Sequence, residues 1–356
     1  MLKTDILVIN PGSTSSKIGV YREGAFIFEE SVSHDLDVIL SFGSIVGQLE
    51  YRKAFIKEVL EKNSYDLNRL KAIVGRGGIL PGLKCGGYLV EKNLVEALSS
   101  PDIPQHASNL GGLIANEIAE ELGIPSYIYD ATTGADLSDI AKVSGLDGIE
   151  RVGIYHVLNA RAQSRNYAES IGRKYKDMKL IVCHMGGGIT VTAHEGGTVI
   201  DGSAYDEGAM SPERTGGVQL IYWTKLCFSG KYTEDEVQKL IAGRGGLYSY
   251  LGKTDLRIIE RDIEDGDEKA KLLLSAMAYQ TAKEIAAMSV PLKGKPDAII
   301  LTGGMAKSEK LCKLIREYAG HIGEIVIMPG EDELGALAKG AERILSGEEY
   351  AMIFSK

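Results

Sequence analysis

A short polar segment, Asn10–Lys17, follows an apolar run and has the residue types that bind phosphate. Gly12 permits a tight turn, and the hydroxyl groups of Ser13 and Ser15 can donate hydrogen bonds to phosphate oxygens. Lys17 adds a positive charge, and the leading asparagine can orient a ligand or a water molecule. The segment lacks the spacing of a Walker A loop, which also leads into a helix. Taken alone, it is equally typical of a polar hairpin with a solvated lysine.

Two glycine-rich turns further along the chain could also approach a ligand closely. His184–Gly188 contains adjacent glycines, which lose much conformational entropy on folding and therefore indicate that a group approaches the backbone closely. Thr302–Met305 contains a glycine pair directly after an apolar strand. The second turn could lie against an adenine or a ribose. A bulged turn and a plain strand–helix connection are the alternatives. The glycines concerned are Gly186, Gly187 and Gly188 in the first turn, and Gly303 and Gly304 in the second.

Charged side chains near these turns supply candidate catalytic groups. Arg76 and Arg214 are each followed closely by glycines, so their charges are expected to point at a ligand, with solvated arginines as the alternative. Asp130 ends a predicted strand, and the ends of strands face the ligand crevice in α/β folds. The acidic run 331–333 could bind a cation or begin the final helix. His156 is a lone histidine, which is more often structural than catalytic.

The elements that must position these residues occur in a repeated order. A strand, a polar or glycine-rich turn, a strand, a hairpin and a strand are predicted from residue 5 and again from residue 179. Helices are predicted over 36–62, 108–122, 267–290 and 334–345. The repeat indicates a duplication at the scale of a domain. We therefore predict an α/β protein of two similar domains, 1–155 and 156–331, with a nucleotide cleft between them, and expect 332–356 to join the first.

Composition limits the classes of function. The chain has 356 residues and a formal net charge of −9, which argues against binding nucleic acid over a broad surface. Its four cysteines are far apart, so neither a zinc site nor a disulfide framework is expected. No apolar run is long enough to span a membrane, and no signal peptide is recognised. These features predict a cytoplasmic protein without a nucleic-acid or membrane partner.

Taken together, the three turns resemble those of the acetate and butyrate kinase family, which belongs to the sugar kinase, heat-shock and actin superfamily. The order and spacing of all three agree over nearly the whole chain. The resemblance implies a duplicated ribonuclease H-like fold in which Asn10–Lys17 and His184–Gly188 bind phosphate and Thr302–Met305 binds adenosine. The loop Asn10–Ser15 and the sequence Arg76-Gly-Gly are closer to butyrate kinases than to acetate kinases.

The resemblance also implies an activity and a role for individual residues. ATP and a short-chain carboxylate, butyrate or a branched relative, would give ADP and an acyl phosphate, with Mg²⁺ and a homo-oligomer of at least two copies. Asp130, His156 and Arg214 match the catalytic aspartate, histidine and arginine of the family. Arg76 is expected to hold the carboxylate of the acid. Asp130 and Glu333 are expected to serve the metal, with Glu331 as the alternative to Glu333.

Other readings remain open from the sequence. An acetate or propionate kinase would differ only in the volume of its acid pocket, which the sequence does not show. A non-catalytic nucleotide switch of the same fold would need the loops but not the two arginines. A hydrolase of acyl phosphates would leave both nucleotide loops without a purpose.

Overall fold

The computed structural model describes residues 4–355. The chain forms two compact units, one built from the residues up to Gly134 together with those from Asp332 onward, the other from Ala135–Glu331. Residues 135–155, which the sequence analysis assigned to the first domain, belong to the second unit. The functional bounds of the domains stay a prediction.

Each unit contains one mixed β-sheet. The strands of the first unit are β1 (Asp5–Pro11), β2 (Ser15–Arg22), β3 (Ala25–Ser33), β4 (Leu70–Arg76), β5 (Gly87–Leu89) and β6 (Ser126–Tyr129). Those of the second are β7 (Leu180–Met185), β8 (Ile189–Glu195), β9 (Thr198–Ser203), β10 (Ala298–Gly303) and β11 (Ile325–Pro329).

The two sheets share one topology. The first has the strand order β3-β2-β1-β4-β6-β5, and the second, read from its other edge, has the order β9-β8-β7-β10-β11. In both, three antiparallel strands are followed by two strands parallel to the innermost one. Strand β5 is an additional edge strand of the first unit. The duplication predicted from the sequence is therefore confirmed.

Helices cover the sheets. They are α1 (Leu36–Ser41), α2 (Leu49–Lys62), α3 (Lys92–Leu98), α4 (Asn109–Leu122), α5 (Asp139–Lys142), α6 (Val157–Ser170), α7 (Leu220–Cys227), α8 (Glu234–Ile241), α9 (Gly246–Leu251), α10 (Leu256–Glu264), α11 (Glu268–Ser289), α12 (Glu309–Ala319) and α13 (Glu333–Ser346). Among residues 4–355, no helix has the length and apolarity to cross a membrane.

The prediction of one helix over 36–62 is wrong. The segment is broken after α1, where Gly43 has a φ of +67°. A residue in this left-handed conformation ends a helix, and glycine adopts it most readily because it has no Cβ atom. A short 3₁₀ turn, Val46–Gln48, then leads into α2. The break places Gln48 and Arg52 at the start of α2.

The burial of the strands follows from their sequences. All seven residues of β1, DILVINP, are buried, as expected of a central strand covered on both faces, whereas β3 at the edge alternates between exposed and partly buried residues. On one face α4 packs closely against β4. Only glycine fits at position 75 of β4, because a Cβ atom there would overlap the backbone of Gly111 in α4. This contact draws the first turn of α4 towards Arg76, the last residue of β4.

Candidate active site

Three of the predicted site residues lie at the carboxyl ends of neighbouring parallel strands in the first unit. Asn10 is near the end of β1, Arg76 ends β4, and Asp130 follows β6 directly. The register pairs Ile9 with Gly75 and Arg76 with Tyr129, so the three site residues are near neighbours. Arg76 is the last residue of β4, so the glycines that follow it lie beyond the strand.

Glu333, the first residue of α13, joins two of these groups. One carboxylate oxygen accepts a hydrogen bond of 2.6 Å from Nδ2 of Asn10, and the other forms an ion pair of 2.5 Å with Nη1 of Arg76. The remaining donors of Arg76, Nε and Nη2, have no acceptor among residues 4–355. Arg76 is therefore held in place by one nitrogen while two others can bind a ligand.

Asp130 is positioned by its backbone as well as by its side chain. Its φ is +43°, which is uncommon outside glycine and costs free energy. Its amide donates to the carbonyl of Gly86 at 3.0 Å, and its Oδ1 accepts from the amide of Gly86 at 2.8 Å. The whole residue is only 3% exposed. A buried acid whose backbone is held in an unfavourable conformation at the end of a strand is typical of functional sites.

The turn between β1 and β2 presents unused hydrogen-bond donors. The Gly12 amide donates to the carbonyl of Ser15 at 2.7 Å and closes the turn. In the described chain the amides of Ser13 and Thr14 and the hydroxyl groups of Ser13, Thr14 and Ser15 have no protein partner. Lys17 is exposed on β2 opposite Asn10. Adjacent backbone and hydroxyl donors of this kind form an anion site.

Arg52 on α2 lies under this turn and was not predicted as a site residue from the sequence. Its side chain is fully buried, and the guanidinium donates to the carbonyls of Gly12 and Ser13 at 2.9 Å and of Ser15 at 3.1 Å. Nε donates to Oε1 of Gln48 at 3.0 Å. Burial lowers the pKa of Arg52 from its ordinary value. Within a helical pattern such an arginine is indistinguishable from one on a solvated face.

In the second unit, a buried network fixes the ring of His184. The hydroxyl of Thr302 donates to the carbonyl of Gly330 at 3.1 Å, so it accepts from Nδ2 of Asn159 at 3.2 Å. The same amide nitrogen lies 2.8 Å from Nδ1 of His184. Because Nδ2 of Asn159 is a donor, Nδ1 accepts and the ring proton of neutral His184 lies on Nε2. Asn159 was not predicted from the sequence.

His156 stacks on His184. The ring centroids are 3.9 Å apart with an angle of 12° between the planes, and Nδ1 of His156 lies 2.9 Å from Oγ1 of Thr190. Glu331 faces the pair, with an oxygen 3.8 Å from Nε2 of His184. Glu331 and Glu333 thus belong to different units.

Arg214 is a desolvated cation beside the second glycine turn. Its guanidinium packs against Gly188, where a Cβ atom would overlap it, and lies 5.7 Å from the centre of the Tyr205 ring. Arg214 forms no ion pair with a carboxylate in the described chain. Burial lowers its pKa from the ordinary value. A partly buried cation that forms no ion pair within the described chain is suited to meeting a negative ligand.

The loop that carries Arg214 is tied to the glycine turn. Oγ of Ser211 donates to the carbonyl of Gly187 at 2.8 Å, and the amide of Glu213 donates to the same oxygen at 3.1 Å. The carbonyl of Ser211 accepts from the amide of Leu247, where the left-handed Gly246 lets the backbones meet. The position of the arginine is therefore fixed relative to the phosphate-loop candidate.

Thr302–Met305 also forms a tight turn. Gly303 has a φ of +86°, and a Cβ atom there would overlap the carbonyl of Met185. Gly304 has open space on its side-chain face and begins a 3₁₀ turn, Gly304–Lys307, whose Met305 is buried. The open face is the one on which a flat ring could lie.

The first unit also contains a largely apolar cavity of about 530 Å³. Its polar wall includes Ser13 and Thr14 of the phosphate turn, with Gln48, Gln105 and His106. The apolar part of the lining is made by Leu36, Ile39, Leu40, Ile45, Pro101 and Ala107. A hydrocarbon group bound here would therefore lie beside an anion site.

The sequence of the chain matches a known protein family. The model of the acetokinase family matches residues 141–348. Butyrate kinase 1 of Clostridium acetobutylicum is 44% identical over 97% of this chain and 98% of its own length.

Solved structures show the same fold. The acetate kinase of Porphyromonas gingivalis has a TM-score of 0.80 at 19% identity, covering 96% of this chain and 100% of its own. A propionate kinase of Francisella tularensis has a TM-score of 0.74 at 18% identity, covering 95% and 98%. The two-domain, actin-like fold class predicted from the sequence is confirmed. The chain belongs to the acetokinase family and is a carboxylate kinase.

Proposed function

We propose that the protein transfers the terminal phosphoryl group of ATP to butyrate, or to a branched short-chain acid, in a reversible reaction. The observation that carries this proposal is the 44% identity with a butyrate kinase over 97% of the chain. A carboxylate oxygen of the acid attacks the γ-phosphorus, the bond to the bridging oxygen breaks, and its electron pair leaves with ADP. The product is an acyl phosphate.

The arrangement of charges supports this reaction. A carboxylate is ionised at neutral pH, so it needs no general base. The main barrier is the repulsion between two anions, which donors aimed at the transferring group can offset. Arg76 would bind the acid through Nε and Nη2 while Glu333 holds Nη1. Arg214 and Nε2–H of His184 would bind oxygens of the phosphoryl group in transit, with His156 supporting the ring of His184.

The nucleotide would be bound by the three turns. In the first, Asn10, Gly12, Ser13, Ser15 and Lys17 are assigned to phosphate. In the second, His184, Gly186, Gly187 and Gly188 have the same task, while Gly303, Gly304 and Met305 are assigned to adenosine. A cleft between the two domains that closes on the nucleotide would exclude water from the acyl phosphate, and it forms part of the proposal.

The residues of the first unit fit a loosely held Mg²⁺ ion. Oδ1 of Asn10 is buried and has no hydrogen-bond partner in the described chain, and the Glu333 carboxylate lies beside its amide. Residues 4–355 contain no cluster of three or more His, Cys, Asp or Glu residues able to enclose a metal. Mg²⁺ commonly keeps several waters and binds substrate phosphates. Asp130 and Glu333 would hold such an ion through waters, and its charge would offset that of the phosphates.

The apolar cavity beside the phosphate turn is assigned to the hydrocarbon chain of the acid. Ala107→Leu would fill part of it and should lower kcat/KM for butyrate relative to acetate by about tenfold, because a methylene contributes about 1–3 kcal/mol to discrimination. Equal losses for the two acids, or no loss, would place the chain of the acid elsewhere.

The test of the activity is an assay of ADP formation with acetate, propionate, butyrate and isobutyrate, with hydroxylamine trapping to detect the acyl phosphate. Butyrate or isobutyrate should give the highest kcat/KM and equal amounts of hydroxamate and ADP. A preference for acetate or propionate would support the alternative substrate. ADP without hydroxamate for every acid would refute carboxylate phosphorylation. Nucleotide binding without turnover would support a nucleotide switch.

A cytoplasmic homo-oligomer completes the proposal. The buried thiols of Cys183 and Cys312 have raised pKa values because of burial, as expected of structural cysteines in a reducing compartment. Helix α7 has no buried residue although it is apolar; its first residue, Leu220, is 79% exposed, and Phe228, which follows its last residue, is 87% exposed. A second copy of the chain would cover this surface. Light scattering should show a dimer or larger assembly, and Ile221→Glu should dissociate it.

A further inference from the structure

The buried guanidinium of Arg52 lies beneath the phosphate turn, and its hydrogen bonds have a consequence for the direction of the peptide groups above it. It binds the carbonyl oxygens of Gly12, Ser13 and Ser15. In a planar trans peptide the C=O and N–H bonds point in opposite directions. Holding the carbonyls of Gly12 and Ser13 downward therefore turns the amides of Ser13 and Thr14 away from Arg52. These are the amides without a partner in the described chain.

The charge of Arg52 is not neutralised by the protein. It forms no ion pair with a carboxylate among residues 4–355, and its acceptors are backbone carbonyls, the hydroxyl of Ser16 at 3.2 Å and the amide oxygen of Gln48. A fully buried charge without a counter-ion is expensive unless another group compensates it. An anion on the far side of the turn would provide that compensation through the polarised peptide groups between them.

We propose that Arg52 is a positioning residue for nucleotide phosphates, which fixes the amides of Ser13 and Thr14 as an anion site and polarises them, without touching the ligand. The inference rests on the proposed role of the turn as a phosphate site. It adds a residue on α2, far from the turn in sequence, whose effect should depend on the number of phosphates in the ligand.

The test is direct binding by titration calorimetry of Mg·ATP and of AMP to the full chain carrying Arg52→Met. The variant should bind Mg·ATP on the order of 10- to 100-fold more weakly, the size expected for loss of charge-assisted hydrogen bonds, and AMP nearly as well as the parent protein does. Arg52→Lys keeps the charge but not the planar fork, so its affinity for Mg·ATP should be intermediate.

Arg343 provides a matched control in the same unit. It is largely buried, but in the described chain its hydrogen bonds go to Glu349 and to the hydroxyl of Tyr129 and not to the phosphate turn. Arg343→Met should lose stability with both affinities unchanged. Equal weakening of Mg·ATP and AMP by Arg52→Met, or the same pattern in Arg343→Met, would overturn the inference. If Arg52→Met does not fold, Arg52→Lys decides by the same comparison.

Failure of the proposed function would give a different result. The binding measurements need no turnover, so a protein that forms no acyl phosphate can still show the selective loss of Mg·ATP binding. The proposed reaction would then be wrong and the role of Arg52 would stand. Conversely, if the parent protein forms acyl phosphate normally but Arg52→Met weakens the binding of Mg·ATP and of AMP equally, the role of Arg52 is wrong and the proposed reaction stands.

Discussion

Arg214→Met should separate activity from stability. The guanidinium packs against Gly188 and forms no ion pair with a carboxylate in the described chain, so its removal breaks no salt bridge. Methionine has a similar length and no desolvation penalty. The melting temperature should therefore stay equal or rise. If Arg214 binds the phosphoryl group only in transit, kcat should fall by about 10³-fold, within the range for an arginine at a transferring phosphoryl group, with little change in the KM for ATP.

Arg151 in the same unit is the matched control, with the opposite expectation. It binds Asp201 at 3.0 Å and Glu207 at 2.8 Å, and these charges raise its pKa. Arg151→Met leaves both carboxylates without their cation, so it should lower the melting temperature by several degrees while kcat stays within a fewfold of the parent value. Steady-state kinetics with butyrate and calorimetric melting measure both properties. A destabilised Arg214→Met with nearly normal kcat would refute the reasoning.

Three further outcomes are expected. Arg76→Lys should raise the KM for butyrate at least tenfold in steady-state assays, while the KM for ATP changes little. The reason is that lysine cannot bind Glu333 and the carboxylate of the acid through separate planar donors. Equal changes in the two KM values would contradict this. His194 is fully buried, and burial lowers its pKa to about 3, below the usual value of about 6.5. As the pH falls, the unfolded chain binds a proton at His194 before the folded chain does, so the contribution of this residue to stability is complete above pH 6.5 and is lost on acidification towards pH 3. In urea unfolding, His194→Gln should therefore lose less free energy of unfolding between pH 7.5 and pH 5 than the parent protein does. An equal loss in both proteins would contradict this. Hydrogen exchange with Mg·ADP should protect the segments around Gly12, Gly187 and Gly303 together, whereas protection of a single segment would oppose a shared cleft.

Local patterns predicted the strands and turns well because their information is local. The strand ending at Tyr129 and the helix from Asn109 to Leu122 agree with their predicted positions within one residue. The glycine turns were selected as candidates because closely spaced glycines are costly unless another group must approach the backbone closely. Asp130 was selected as a candidate because the ends of strands face the ligand crevice in α/β folds.

The missed features depend on contacts between distant parts of the sequence. Arg52 is recognisable only when the turn around Gly12 is known to lie above it, and Asn159 only when it meets His184 and Thr302. The acidic run 331–333 gave no sign that Glu333 would pair with Arg76 at 2.5 Å. The roles assigned to the site residues and the bounds of the domains stay predictions.

The return of α13 to the first unit has a consequence for synthesis of the protein on the ribosome. This helix supplies Glu333 to the site, and beyond it the Met352 amide donates to the carbonyl of Gly87 at 2.8 Å, joining the edge of the first sheet. The second unit, Ala135–Glu331, is continuous in sequence and can fold as soon as it emerges. The first unit, although it is translated earlier, must wait for residue 352 to complete its sheet edge. The nascent first half is therefore an incomplete domain for most of translation, and a ribosome stalled before residue 333 would carry a chain whose Arg76 has not yet met its carboxylate.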